Sequence, residues 1–103
     1  MVSVFLDAIP ANVRAAQALC NDNEENHATF FNAGMLIRIR GDKKLVLKRE
    51  VIDEAIGRGL TENEWQSIMW NYIGVIAKSS HNEIVFEDSD ESKVMDEYWD
   101  KQL

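Results

Sequence analysis

Apolar and polar positions change their spacing several times along the chain, and each change predicts an element. Ile9, Val13, Ala16, Leu19 and Cys20 recur at helical intervals, so a helix is predicted over about 8–20. Asp7 is its candidate N-cap, and Pro10 falls in the first turn, where a missing N–H has no intrahelical partner to lose. The preceding Val2-Ser3-Val4-Phe5-Leu6 reads either as a short strand or as the lead into this helix. Asn21-Asp22-Asn23 ends the helix, because these side chains bond their own backbone in turns. A second, shorter helix is expected over 24–32, with acids in its first turn, Phe30 and Phe31 as anchors and Gly34 as its stop.

The period then drops to two. Met35-Leu36-Ile37-Arg38-Ile39-Arg40 and Lys44-Leu45-Val46-Leu47-Lys48 flank Gly41-Asp42-Lys43, which predicts a hairpin over about 35–48. A three-residue loop sets Ile39 opposite Leu45 and Ile37 opposite Leu47, giving one aliphatic face and one basic face of Arg38, Arg40, Lys44 and Lys48. Helical spacing returns at 49–56, closed by Gly57. Thr61 and Glu64 then form the pattern of a capping box, with Leu60 and Trp65 placed for a hydrophobic staple. Trp65, Ile68, Met69, Tyr72, Ile73 and Ile76 continue as one helical stripe, so a central helix is predicted over about 62–78. A strand at about 83–87, an acidic loop at 87–91 and an acidic C-terminal helix at about 92–102, docked by Val94, Met95, Tyr98 and Trp99, complete the chain. The expected fold is α+β: a small antiparallel sheet (the hairpin plus the strand at 83–87) packed against about four to five helices, in one domain spanning 1–103.

Composition supports a packed core, with 46% apolar residues, three Trp, four Phe and two Tyr among 103. No apolar run approaches the ~20 residues of a membrane span. The N-terminus lacks the basic region of a secretory signal, and the lone Cys20 has no internal disulfide partner, so a cytoplasmic setting is expected. The net charge of −7 disfavours general binding to nucleic acid, which depends on neutralising phosphates. That charge is unevenly spread. Residues 34–50 hold six bases against two acids, whereas residues 81–103 hold eight acids against two bases.

Catalytic patterns are few. His27 and His81 lack zinc-ligand spacing, and the stretch from Asp88 lacks both the central Gly and the final Glu of a calcium loop. Cys20 lies on an apolar stripe, where a cysteine serves as a small buried hydrophobe. No serine sits in a nucleophile elbow, and Gly57-Arg58-Gly59 is too short for a phosphate cradle. The reading is therefore a non-enzyme with no catalytic, cofactor-binding or metal-binding residues.

Two surface features remain. The basic residues Arg38, Arg40 and Lys44 fit three roles: charges that protect a sheet edge, partners of the chain's own acidic tail, or a docking surface for an acidic partner. Trp70 lies off the central stripe, which fits a second core layer or a binding anchor; the cover expected around that helix favours the core layer. The leading function is a small protein-binding module of the intracellular inhibitor, immunity or adaptor kind. It would meet a protein partner with a basic surface through Arg38, Arg40, Lys44, Trp70, Asp90, Glu91, Asp96, Glu97 and Asp100. The alternative is a nucleic-acid-associated regulator, in which helices at 50–56 and 62–78 echo a helix-turn-helix and the hairpin 35–48 serves as a wing. Glu62 and Glu64 at the front of the would-be recognition helix, where phosphates would be repelled, argue against it.

Overall fold

The computed structural model describes residues 1–89, and the predicted tail helix at 92–102 lies outside them. The chain enters on β1 (Val2–Asp7), the strand alternative for its first residues, and continues into α1 (Pro10–Asp22), with Pro10 at its start as expected. It then runs through β2 (Thr29–Asn32), β3 (Leu36–Gly41), β4 (Lys44–Lys48), α2 (Arg49–Ile56), α3 (Glu62–Ser67), β5 (Tyr72–Ile73), β6 (Val75–Ser79) and β7 (Glu83–Glu87). Two antiparallel sheets result, one in the order β2-β3-β1-β5 and one in the order β4-β7-β6. The fold is α+β, but the described residues form three α-helices rather than four or five, and two sheets rather than one.

Three expectations are corrected. First, β3 and β4 form no hairpin. Both edges of β3 are already hydrogen-bonded, to β1 and to β2, so β4 has no edge to join and pairs with β7 instead. Ile39 therefore faces Val4 and Phe30, and Leu45 faces Phe86. Gly41 makes this corner possible, because a Cβ there would sit 2.6 Å from the Lys44 carbonyl oxygen. Second, the central helix over 62–78 ends at Ser67, passes through a 3-10 turn (Ile68–Trp70), and becomes β5 and β6. Ile73, Val75 and Ile76 are β-branched and favour strands. Gly74 between them has φ +132, and a Cβ there would meet the Glu87 carbonyl oxygen at 2.5 Å. It is the second corner, carrying the chain from the first sheet to the second. Third, of the helix expected over 24–32 only a 3-10 turn at Glu24–Asn26 forms, and Thr29-Phe30-Phe31 joins β3 as a strand.

The core lies between the sheets and the helices. Val2, Val4, Ile37 and Ile39 of the first sheet meet Leu45, Leu47, Ile84 and Phe86 of the second. Ala15, Ala16, Leu19 and Cys20 of α1, Ile52 of α2 and Trp65 of α3 close the same cluster. Asn23 fastens α1 to the edge strand β4. Its side-chain amide donates to the carbonyls of Leu19 (2.9 Å) and Val46 (2.8 Å), and its side-chain oxygen accepts from the Val46 N–H at 2.8 Å. A side chain thus supplies the bonds that a further strand would supply at that edge.

Candidate partner-binding surface

The site begins at α3, whose start is fixed locally and whose end sets Trp70. Thr61 and Glu64 form the predicted capping box: the Glu64 N–H donates to Thr61 Oγ1 at 3.2 Å, and the Thr61 N–H donates to Glu64 Oε1 at 3.0 Å. Arg58 donates to both Glu64 oxygens, and this pairing, followed by the Thr61 bonds, holds the Glu64 carboxyl at about 2. Arg49 ties the same region to its neighbours. Its guanidinium donates to Glu62 Oε2 (2.9 Å), to the Leu60 carbonyl (2.6 Å) and to the His81 carbonyl (3.2 Å), and lies 5.8 Å from the centroid of the Trp65 ring. The bond from Arg49 lowers the pKa of Glu62. Trp65 is fully buried and donates its indole N–H to the Ser80 carbonyl. With α3 held so firmly, the 3-10 turn that follows projects Trp70 outward at 77% exposure. The second core layer expected around Trp70 is absent, because its helix does not continue past Ser67.

Trp70 has apolar company at the same end of β1. The Phe5 N–H donates to the Asn71 carbonyl, which fixes Trp70 beside the second half of β1. On the strand's other side the Ala8 N–H donates to the carbonyl of Met35, a side chain that is 88% exposed. Ile9 and, one turn later, Val13 open α1 just beyond, and both are exposed. Trp70, Met35, Ile9 and Val13 therefore form an apolar rim at the end of the first sheet opposite the Gly41 and Gly74 corners. The alternating pattern around 35–40 places Met35 inside a strand, and the helical stripe places Ile9 and Val13 in the core. Only their positions at element ends, where the packing surface runs out, expose them.

The predicted basic face is divided. Arg38 and Arg40 share the outer face of the first sheet with Ser3, Phe5, Phe31 and Ile73, as the strand registers require. Arg38 is fully buried; its Nε donates to Ser3 Oγ at 3.0 Å, and its guanidinium lies 5.8 Å from the Phe5 ring centroid and 6.0 Å from that of Phe31. Arg40 is half-buried and reaches Met1 Sδ. Ser3, Phe5, Arg38 and Arg40 engage further partners as well. Lys44 is exposed on the second sheet, opposite Glu87 in register. Asp90, Glu91, Asp96, Glu97 and Asp100 lie outside the described residues.

These placements remove the physical basis of the helix-turn-helix alternative. The recognition helix is six residues long, the wing is not a hairpin, and Arg38 is inaccessible to phosphate. Cys20 is buried in the core, and burial pushes its thiol pKa up, away from nucleophilic use. Among the described residues no three His, Cys, Asp or Glu side chains come together as a metal site. No described helix is long and apolar enough to cross a membrane. Two hollows, one against Val51 and Ala55 and one against Cys20 and Phe30, are open to the surface rather than enclosed.

Two chains from structures of a phenol hydroxylase–regulatory protein complex share this fold. One superposes with a TM-score of 0.63 at 24% sequence identity, over 85% of this chain and 98% of its own. The other does so with a TM-score of 0.59 at 24% identity, over 84% of this chain and 96% of its own. Among curated proteins, none matches the chain. Residues 1–87 match the profile of the MmoB/DmpM family, whose members are regulatory, non-catalytic components of monooxygenase complexes, and the chain belongs to that family.

Proposed function

We propose that this chain is the regulatory component of a multicomponent monooxygenase of the phenol hydroxylase type, and that it acts by docking on the hydroxylase through the rim of Trp70, Met35, Ile9 and Val13. The partner is suggested by family membership over residues 1–87 and by the fold shared with chains of a phenol hydroxylase–regulatory protein complex. The single observation that carries the choice of surface is the outward placement of Trp70 and Met35, the two most exposed large apolar side chains among the described residues. Aromatic and Met side chains of this kind are enriched where protein interfaces draw their affinity. A regulatory component replaces the inhibitor and immunity readings. The net charge of −7 adds a partner face richer in bases, which speeds and selects association more than it tightens it.

The proposal is tested by titrating the purified hydroxylase from the same source with the full chain, following complex formation by calorimetry and substrate turnover in parallel. Saturable binding that changes turnover, with association slowed as salt is raised, is the expected outcome. A hydroxylase that neither binds the chain at tens of micromolar nor changes its turnover would overturn it.

A further inference from the structure

Each sheet ends in two edge strands, and β4, β5 and β6 carry features that discourage an edge from pairing further. On β4, Asn23 occupies both backbone groups of Val46, and Lys44 and Lys48 flank them. The strand β5 is two residues long, and β6 is broken by a register shift between Ile76 and Lys78. The fourth edge, β2, has no such feature. It pairs regularly with β3, and its outer edge meets no strand among the described residues. Residues 28–37 carry no charge, in a chain whose net charge is −7.

The alternation of hydrogen bonds along β2 fixes what this edge offers. The Ala33 N–H donates to the Leu36 carbonyl, so Ala33, Phe31 and Thr29 turn their backbone groups toward β3. Phe30 and Asn32 turn theirs outward. The edge therefore presents one N–H and one carbonyl at each of Phe30 and Asn32, with Phe31 midway between them. Rotated by half a turn about Phe31, that set is its own complement.

We propose that β2 pairs antiparallel with β2 of a second copy about a two-fold axis at Phe31, joining two first sheets into one. Phe30 of each copy then exchanges N–H···O bonds with Asn32 of the other. The two Phe31 side chains meet on the outer face as a non-hydrogen-bonded pair, the closer kind. On the inner face, Asn32 of the second copy stands beside Phe30, at the open hollow that Phe30, Ala28 and Cys20 line. The register is specific. A slip of two residues would set Asn32 opposite Ala28, or Phe30 opposite Gly34, whose N–H groups already donate to the Asn23 carbonyl and to Asn32 Oδ1. A second copy is the occupant because the edge matches itself in bonding pattern, in side-chain face and in lack of charge. The patch is small beside a stable interface, so concentration sets the balance between one copy and two. Salt favours the pair, since it screens the repulsion between two chains of net charge −7. The pairing asks nothing of the hydroxylase, whose association with this chain salt should slow.

Sedimentation equilibrium of the full chain, with two double variants, tests the pairing. In the proposed register Thr29 lies opposite Ala33 of the second copy, twice by symmetry. Thr29→Glu, Ala33→Glu sets like charges against each other there, whereas Thr29→Glu, Ala33→Lys sets opposite charges and keeps the net charge of the chain. The unsubstituted chain should show a monomer–dimer equilibrium that tightens as salt is raised. The Glu/Glu variant should weaken it by about tenfold or more, and the Glu/Lys variant should restore it. An unsubstituted chain that stays monomeric at about 1 mM in high salt overturns the proposal, whatever becomes of the variants. So does a dimer that the Glu/Glu variant forms equally well, or a Glu/Lys variant that pairs no better than the Glu/Glu one.

Discussion

Asn23 and Arg38 show how far the role of a residue depends on what the fold brings to it. Asn23 ends a run of turn-forming residues, and its helix-ending role was readable from the run itself. Its bonds to both backbone groups of Val46, 23 positions away, were not, because nothing local specifies which edge strand will lie beside the end of α1. Truncating this buried side chain removes all three bonds and leaves the part-buried N–H and carbonyl of Val46 without their partner, while the Leu19 carbonyl keeps the Asn23 N–H. Asn23→Ala should therefore cost about 2–4 kcal/mol in urea unfolding. A loss below about 0.5 kcal/mol, the size expected of an ordinary surface change, would show that the tether is dispensable. Arg38 illustrates the opposite limit. Its alternation with aliphatics correctly placed it on the face away from the core, but a basic residue on an outer face reads as exposed, and here the face itself is covered.

Elements whose signals are local matched their sequence patterns. The capping box of Thr61 and Glu64, the helix at 49–56 closed by Gly57, and the strand at 83–87 each rest on residues within a few positions of one another. The failures came where two patterns coincide. From Ile68 to Ile76 the apolar positions satisfy a helical stripe and also two short strands separated by a corner. The β-branched run and Gly74 were the signals that favoured the strands. The same ambiguity hid the split between β3 and β4, whose sequence suits a hairpin but whose edges are claimed by β1, β2 and β7. Comparing two glycines tests the account of the corner. Gly57 and Gly74 both have positive φ, but a Cβ at Gly57 meets nothing within 4 Å, whereas one at Gly74 runs into backbone. Gly57→Ala should cost about 1 kcal/mol, the usual left-handed penalty, and Gly74→Ala distinctly more, about 3 kcal/mol. Equal losses in denaturant unfolding would mean that the close approach of β5–β6 to β7 is not what Gly74 serves.

At the scale of the whole molecule, the fold distributes its surfaces by sheet. The inner face of the first sheet makes the core with the second sheet and the helices. Its outer face is closed over Arg38 and Phe5, and its far end presents Trp70 and Met35. Sequence alone identified a small binding protein with no catalytic pattern, and it singled out Trp70, but it could not separate the rim from the core, because exposure of Trp70 follows from a helix that stops early. Under the proposed function, regulation is a matter of which face meets the hydroxylase. The most direct measurement is the affinity of the Trp70→Ala, Met35→Ala variant for the hydroxylase, read beside its urea unfolding midpoint. The account predicts a dissociation constant weakened at least tenfold, about 1.4 kcal/mol or more, with the unfolding midpoint unchanged because neither side chain is packed. An unchanged dissociation constant with an unchanged midpoint would contradict it and place the docking surface elsewhere.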